Sequence, residues 1–283
     1  MKPAPPVIRT FTPTTAFAVV RSAVTVSSAS VPDVYPVVIA AITTGFRALG
    51  LRITVTGDEH VPRSGPAVLA ANHSSFFDFA LMGLAARRSR RHVRFLIRRD
   101  VWEHRLLNPA MRSMRHIPVD RAAPAAALLA ARSALADGEV VGVFPEAGVS
   151  RSFTIRPMMP GAASLSLHER APLLPMAIWG PQRLYTAGRQ LSLRRGQAVR
   201  LLIGPPLAGR DDDDVREHTR DLGRRLGELL EQAQREHPDQ PGMGEHAWWH
   251  PAHLGGAAPT PADARAVEGP MPPGAVAPLF DAY

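Results

Sequence analysis

The chain reads as an α/β fold: a mixed, mostly parallel sheet flanked by helices, with an N-terminal membrane-associating helix and loose termini. Two observations predict this. Short β-rich runs alternate with helical patterns through the middle of the sequence, and that alternation builds parallel sheets. Polar residues capable of chemistry also follow two of the apolar runs directly, where open α/β sheets place their ligands.

Residues 1–32 mix Pro, Ser and Thr with short apolar stretches and read as poorly ordered. The apolar stretch from Val34 to Leu51 is broken by Pro36, Gly45 and Arg47, and it falls short of the roughly 20 residues that span a bilayer. It fits a helix lying in the interface. Strands are expected at Leu51–Thr56, Ala67–Ala71, Val93–Ile97, Val140–Phe144, Leu173–Trp179 and Val199–Ile203, from their β-branched and apolar content. Helices are expected at Phe79–Arg88, Ala123–Ala136 and Gly161–Glu169. A last helix, Asp211–Glu236, carries Leu222, Leu226, Leu229, Leu230 and Ala233 on one face, and the Asp211–Asp214 run suits its N-terminus. The predicted organisation is an N-terminal segment (1–32), a domain over 33–237 whose motif-bearing core covers about 51–205, and a Pro/Gly-rich tail (238–283).

Composition narrows the partners. A hydrophobic fraction of 45% provides a core, and the absence of cysteine excludes disulfides, zinc–thiolate sites and a thiol nucleophile. The formal charge is +8, carried almost wholly by arginine, since Lys2 is the only lysine. Guanidinium groups bind phosphate through a planar fork of donors, so the charge points to phosphate-rich partners. Seven arginines (Arg87, Arg88, Arg90, Arg91, Arg94, Arg98 and Arg99) form a basic cluster suited to anionic headgroups or to a phosphate-bearing donor. With no zinc-finger or RNP-like aromatic motif and only 6% aromatics, nucleic acid is not an expected partner. In the tail, Trp248-Trp249-His250 reads as a short packing contact or an interfacial anchor.

The strongest chemical signal is Asn72-His73-Ser74-Ser75-Phe76-Phe77-Asp78. His73 falls at the end of a strand and Asp78 in the first turn of a helix, a corner that can fold the carboxylate back onto the imidazole. Such a carboxylate fixes the tautomer and leaves the other ring nitrogen free to take a proton from a hydroxyl. The spacing from Ser75 to Asp78 equally fits a capping box.

The second signal runs from Val140 to Ser152: a buried strand, then Phe144-Pro145-Glu146, a turn containing Gly148, and Arg151. Gly148-Val149-Ser150-Arg151-Ser152 approximates the G-x-S-x-G elbow of serine hydrolases, but ends in serine and follows its strand too late for the sharp turn.

Together these blocks resemble the glycerophospholipid acyltransferase family, whose members include lysophosphatidic acid acyltransferases. Asn72, His73 and Asp78 match the family's His-x4-Asp block, and Phe144, Pro145 and Glu146 match its Phe-Pro-Glu-Gly-Thr-Arg-Ser block. His116-Ile117-Pro118-Val119-Asp120-Arg121 resembles the arginine-bearing block between them, and Pro172–Ile178 the apolar strand that follows. All four occur in family order. One departure stands out: five positions lie from Glu146 to Arg151, against three in the family's block.

The resemblance implies transfer of a fatty acyl group from acyl-CoA or acyl-carrier protein to the sn-2 hydroxyl of lysophosphatidate. The alternatives are another lysolipid or glycerol 3-phosphate as acceptor, a lipid esterase, or a non-enzymatic binder of anionic lipid. His73 is the implied general base, oriented by Asp78. Arg121 and Arg151 are implied to hold the acceptor's phosphate, with Glu146 and Gly148 shaping the same pocket. No cofactor beyond the acyl co-substrate is implied. The first thirty residues lack the pattern of a secretory signal, so the expected location is the cytoplasmic face of the plasma membrane.

Overall fold

A computed structural model describes residues 34–105, 107–120, 123–207, 214–268, 278 and 280–281. Seven strands form one sheet: β1 (Arg52–Thr56), β2 (Ala67–Ala71), β3 (Val93–Arg98), β4 (Ile117–Val119), β5 (Val140–Val143), β6 (Leu173–Trp179) and β7 (Ala198–Ile203). The helices are α1 (Tyr35–Ala48), α2 (Asp78–Ala86), α3 (Arg99–Trp102), α4 (Asn108–Ser113), α5 (Pro124–Ala136), α6 (Gly161–Glu169), α7 (Val215–Arg235) and α8 (Pro261–Glu268). The strand order is β1-β7-β6-β2-β5-β3-β4. Every neighbouring pair is parallel except β6 and β7. The mixed, mostly parallel sheet is the one expected.

β2 occupies the middle of the sheet and all five of its residues are buried, because helices cover both faces. Leu69 and Ala71 join Leu174, Met176, Ile178, Val199 and Leu201 beneath Ala80, Leu81, Met82 and Ala85 of α2 and Phe46 of α1. Val68 and Ala70 face the other way, with Val141, Val143 and Trp179, against α5, α6 and α7. The α7 stripe behaves as its periodicity predicts. Leu222, Leu226, Leu230 and Ala233 are buried, and each leucine is worth about 1.5–3 kcal/mol in apolar burial. Asp214 caps that helix by accepting from Arg216 N–H at 3.0 Å, while 211–213 fall outside the described residues. Gly142 is the small residue that lets β5 lie under Phe95. A Cβ there would meet the Phe95 ring and Val93 at 2.7 Å.

The stretch expected to lie in an interface forms α1, packed through Tyr35 and Phe46. Among the described residues no helix is long and apolar enough to cross a membrane. Residues 1–32 lie outside the described residues.

Parts of the segment after Pro238 pack onto the domain, while 242–246 are exposed. Trp248 and Trp249 pack against the core, with Arg189 stacked over Trp248 at 4.4 Å and Arg183 over Trp249 at 4.7 Å. Asp239 accepts from Ala198 N–H at 2.9 Å and from Arg183 at 2.7 Å, and those donors hold its carboxyl near 2 against the upward pull of burial. Farther on, the Phe280 ring lies over Gly223 and its carbonyl accepts from Met158 N–H at 2.9 Å. Pro and Gly deplete regular secondary structure without preventing anchorage by aromatic and ionic contacts.

Candidate active site

The C-terminal end of β2 is stapled to β6 before the chain turns. The side chain of Asn72, 2% exposed, donates to Ile178 O at 3.0 Å and accepts from Ile178 N–H at 2.7 Å. It continues the sheet ladder through an amide group, so the next residue leaves from a fixed point. That residue is His73. Its peptide N–H donates to Glu146 Oε1 at 2.8 Å and its carbonyl accepts from Ser150 N–H at 2.7 Å. Both backbone groups are therefore held by the loop that follows β5.

His73 Nδ1 lies 2.9 Å from Asp78 Oδ2. The same oxygen accepts from Ser74 N–H and Ser75 N–H, each at 2.7 Å. Asp78 thus reaches back as a capping-box acid does, and in the same position it takes the imidazole. The reciprocal half of a capping box is not made: Ser75 Oγ accepts from Phe77 N–H at 3.1 Å, and Asp78 N–H donates to Ser75 O at 3.2 Å. With a carboxylate as acceptor, Nδ1 carries the proton and Nε2 is the basic nitrogen. Asp78 is wholly buried, and burial pushes its carboxyl up while the His73 bond and the two amides pull against that rise. The side chain of His73 remains 20% exposed, and its ring stacks on Phe144 with centroids 4.3 Å apart and 21° between planes.

Glu146 is a brace. Its Oε2 accepts from Arg156 N–H at 2.8 Å, so its two oxygens tie His73 to a residue ten positions farther along. Burial pushes its carboxyl up to about 8, with the two backbone donors pulling it down. Both oxygens accept from backbone N–H groups of the protein itself. Gly148 shapes the loop in the literal sense: a Cβ there would meet the Arg156 guanidinium at 2.3 Å.

The longer loop still reaches the site, because Ser150 bonds His73 and Arg151 follows it directly. Arg151 is half-buried, with its guanidinium against Gly188. Arg121 lies outside the described residues. Ser150 is buried and its hydroxyl donates to Thr154 O at 2.8 Å, within a row that includes Ser152 and Thr154. Committed to its own turn, it does not serve the hydrolase alternative.

Residues that the sequence did not single out also support the turn. Tyr185 O accepts from Ser75 Oγ at 2.7 Å and from Phe76 N–H at 3.2 Å, and Thr186 Oγ1 donates to Ser74 O at 2.7 Å. These contacts join positions more than 100 residues apart, and no local pattern announces them.

The arginine cluster is largely consumed by structure. Arg94 is buried against Glu139 and donates to Met114 O at 2.6 Å. Arg91 spans the carbonyls of Pro62, Gly65 and Gly138. Arg88 pairs with Asp58, Arg98 with Asp100 and Arg99 with Asp120. A common anion-binding role for all seven does not survive these pairings. Among the described residues no group of three His, Cys, Asp or Glu side chains is placed to hold a metal ion.

An imidazole–carboxylate pair at the C-terminal end of a central parallel strand, braced from two neighbouring loops, defines an α/β enzyme. The comparisons narrow the class. Residues 52–179 match the family model described as Acyltransferase. A Bacillus subtilis 1-acyl-sn-glycerol-3-phosphate acyltransferase is 26% identical over 156 residues, 55% of this chain and 73% of the relative. A human 1-acyl-sn-glycerol-3-phosphate acyltransferase alpha is 28% identical over 170 residues, 59% of each chain. The crystal structure of a 1-acyl-sn-glycerophosphate acyltransferase from Thermotoga maritima shares the fold, with a TM-score of 0.53 at 22% identity over 68% of this chain and 79% of that one. Residues 52–179, somewhat under half of the chain, are thus similar to the acyltransferase family, and the relatives named above are O-acyltransferases.

Proposed function

We propose that the chain transfers a fatty acyl group from acyl-CoA or acyl-carrier protein to the sn-2 hydroxyl of lysophosphatidate. The observation that carries this reading is the 2.9 Å contact from His73 Nδ1 to a buried carboxylate, which leaves Nε2 as a base on a partly exposed ring. The names of the Bacillus and human relatives supply the acceptor.

In this mechanism Nε2 takes the proton from the acceptor hydroxyl as its oxygen attacks the thioester carbonyl. The carbon–sulfur bond then breaks, and the departing thiolate receives that proton from the imidazolium. No acyl-enzyme forms. Asp78 holds the tautomer and offsets the charge that appears on the ring, a contribution typically of about 100- to 10,000-fold for a general base. Phe144 fixes the plane of the ring and presents a π face to the imidazolium. Arg151, one residue beyond the His73–Ser150 bond, would hold the acceptor's phosphate in this reading, and Arg121 is assigned the same task by its motif. α1 and the membrane surface bring enzyme and lipid together, on the cytoplasmic face of the plasma membrane.

The test is an acceptor panel. Purified full-length chain is assayed with lysophosphatidate, other lysophospholipids and glycerol 3-phosphate, each with acyl-CoA and with acyl-carrier protein. Lysophosphatidate should give the highest kcat/KM, and a preference for any other acceptor would move the assignment to it.

A further inference from the structure

After β6 the chain makes a loop, Tyr185–Gly196, closed at its neck by a 2.7 Å hydrogen bond from Ser192 N–H to Leu184 O. The loop presents apolar side chains to solvent: Tyr185 is 37% exposed, Leu191 53% and Leu193 66%. Phe76, on the catalytic turn and 42% exposed, lies beside Tyr185 with ring centroids 4.7 Å apart. Directly after the leucines stand Arg194 and Arg195, while Arg189, ahead of them, is stacked over Trp248, and the loop contains no acidic residue. Solvent-facing leucines followed at once by two arginines would be a liability in water. At the surface of an anionic bilayer both find partners, the leucines in the acyl region and the guanidinium groups among phosphates, with Tyr185 at headgroup depth.

The loop is also wired to the site. Tyr185 O holds Ser75 and Phe76, Thr186 holds Ser74, and Gly188 lies under the Arg151 guanidinium. We propose that Tyr185–Gly196, with Phe76, is a lipid-docking surface separate from α1 that seats the catalytic turn on an anionic bilayer. It deepens the acyltransferase reading, since a lysolipid acceptor would then enter from the membrane plane beside His73.

The experiment uses the full chain and two double variants, Leu191→Ser with Leu193→Ser and Arg194→Gln with Arg195→Gln. Binding is measured by sedimentation with vesicles of phosphatidylcholine alone and with phosphatidylglycerol added. The serine variant should bind both vesicle types roughly tenfold more weakly, and the glutamine variant should lose only the increment due to phosphatidylglycerol. Turnover of vesicle-embedded lysophosphatidate should fall in parallel. Turnover of a short-chain, water-soluble lysophosphatidate should not change, because no mutated side chain touches His73 or Asp78. Wild-type vesicle binding by both variants would overturn the proposal. So would normal binding combined with lost turnover from acyl-carrier protein alone, which would make the surface a dock for an acidic carrier. The vesicle arm needs no activity, so failure of every acceptor would sink the enzymatic assignment and leave docking to be judged separately.

Discussion

The His73 turn, Asn72–Asp78, and the arginine-rich stretch Arg87–Arg99 stand at opposite ends of α2, and both are conspicuous in the sequence. Their side chains are used in opposite ways. In the turn, backbone groups are held by Glu146, Ser150, Tyr185 and Thr186, while the imidazole keeps an exposed edge. In the arginine stretch, side chains are spent on fixing backbone and carboxylates. The most buried of them, Arg94, also helps burial push His116 down to about 4, so that ring stays neutral and accepts from Phe95 N–H at 3.3 Å. Charge density marks function poorly, because a guanidinium satisfies carbonyls as readily as ligands. A side chain held on one side and open on the other is the better sign.

The largest effect should come from the turn. His73→Ala is expected to lower kcat by about 100- to 10,000-fold with little change in thermal midpoint, and Asp78→Asn to lose most turnover because an amide can hold the wrong tautomer. An Asp78→Asn protein that keeps full turnover and merely melts earlier would reduce the pair to a helix cap. The opposite pattern belongs to Arg94. Replacing it with methionine leaves Glu139 with Arg115 alone and frees Met114 O, and should cost about 1.5–3 kcal/mol in urea unfolding, while kcat per folded molecule holds. Loss of kcat without loss of stability would transfer Arg94 to the site.

Arg151 tests whether the boundary between the regions is sharp. If it clamps the acceptor phosphate, Arg151→Ala should cost about 2–3 kcal/mol, or roughly 30- to 150-fold in acceptor kcat/KM, with donor KM unchanged and lysine a poor substitute. An unchanged acceptor kcat/KM would remove it from the phosphate site.

Glu146 supplies a pH test. Its folded pKa of about 8 stands above the ordinary 4.5, so between those values the unfolded chain ionises first. Its favourable contribution is full below pH 4.5 and is lost as pH rises through 8. Glu146→Gln should flatten that fall in stability, read as urea midpoint against pH, at the expense of one of the two backbone bonds. Equal slopes in variant and parent would show that burial does not govern this carboxyl. The smallest effect is expected at Arg98, whose pairing with Asp100 is exposed: Arg98→Gln should shift stability by under about 0.5 kcal/mol and leave turnover alone.

The sequence by itself determined six of the seven strands, all but the short β4, and the helices that alternate with them. It did so because burial on both faces demands unbroken apolar runs in the inner strands. Edge strand β1 shows instead the period-two alternation of a half-covered strand, and both patterns are visible without a structure. It also determined the His73–Asp78 pair, whose partners are five residues apart and meet through a local corner. What lay beyond local pattern was left to the tertiary structure. Only the packed fold reveals Glu146 as a brace on His73, because that contact depends on the β5 loop crossing the end of β2. Only the fold committed Arg91 and Arg94 to structure, since they find their acceptors across 20 to 47 residues of chain. It likewise drew parts of the segment after Pro238 onto the domain, through cation–π contacts that composition does not encode. Periodicity and short spacings are set by backbone geometry and can be read along a line. The partner of a long polar side chain is set by which strands become neighbours, and that is decided only when the sheet closes.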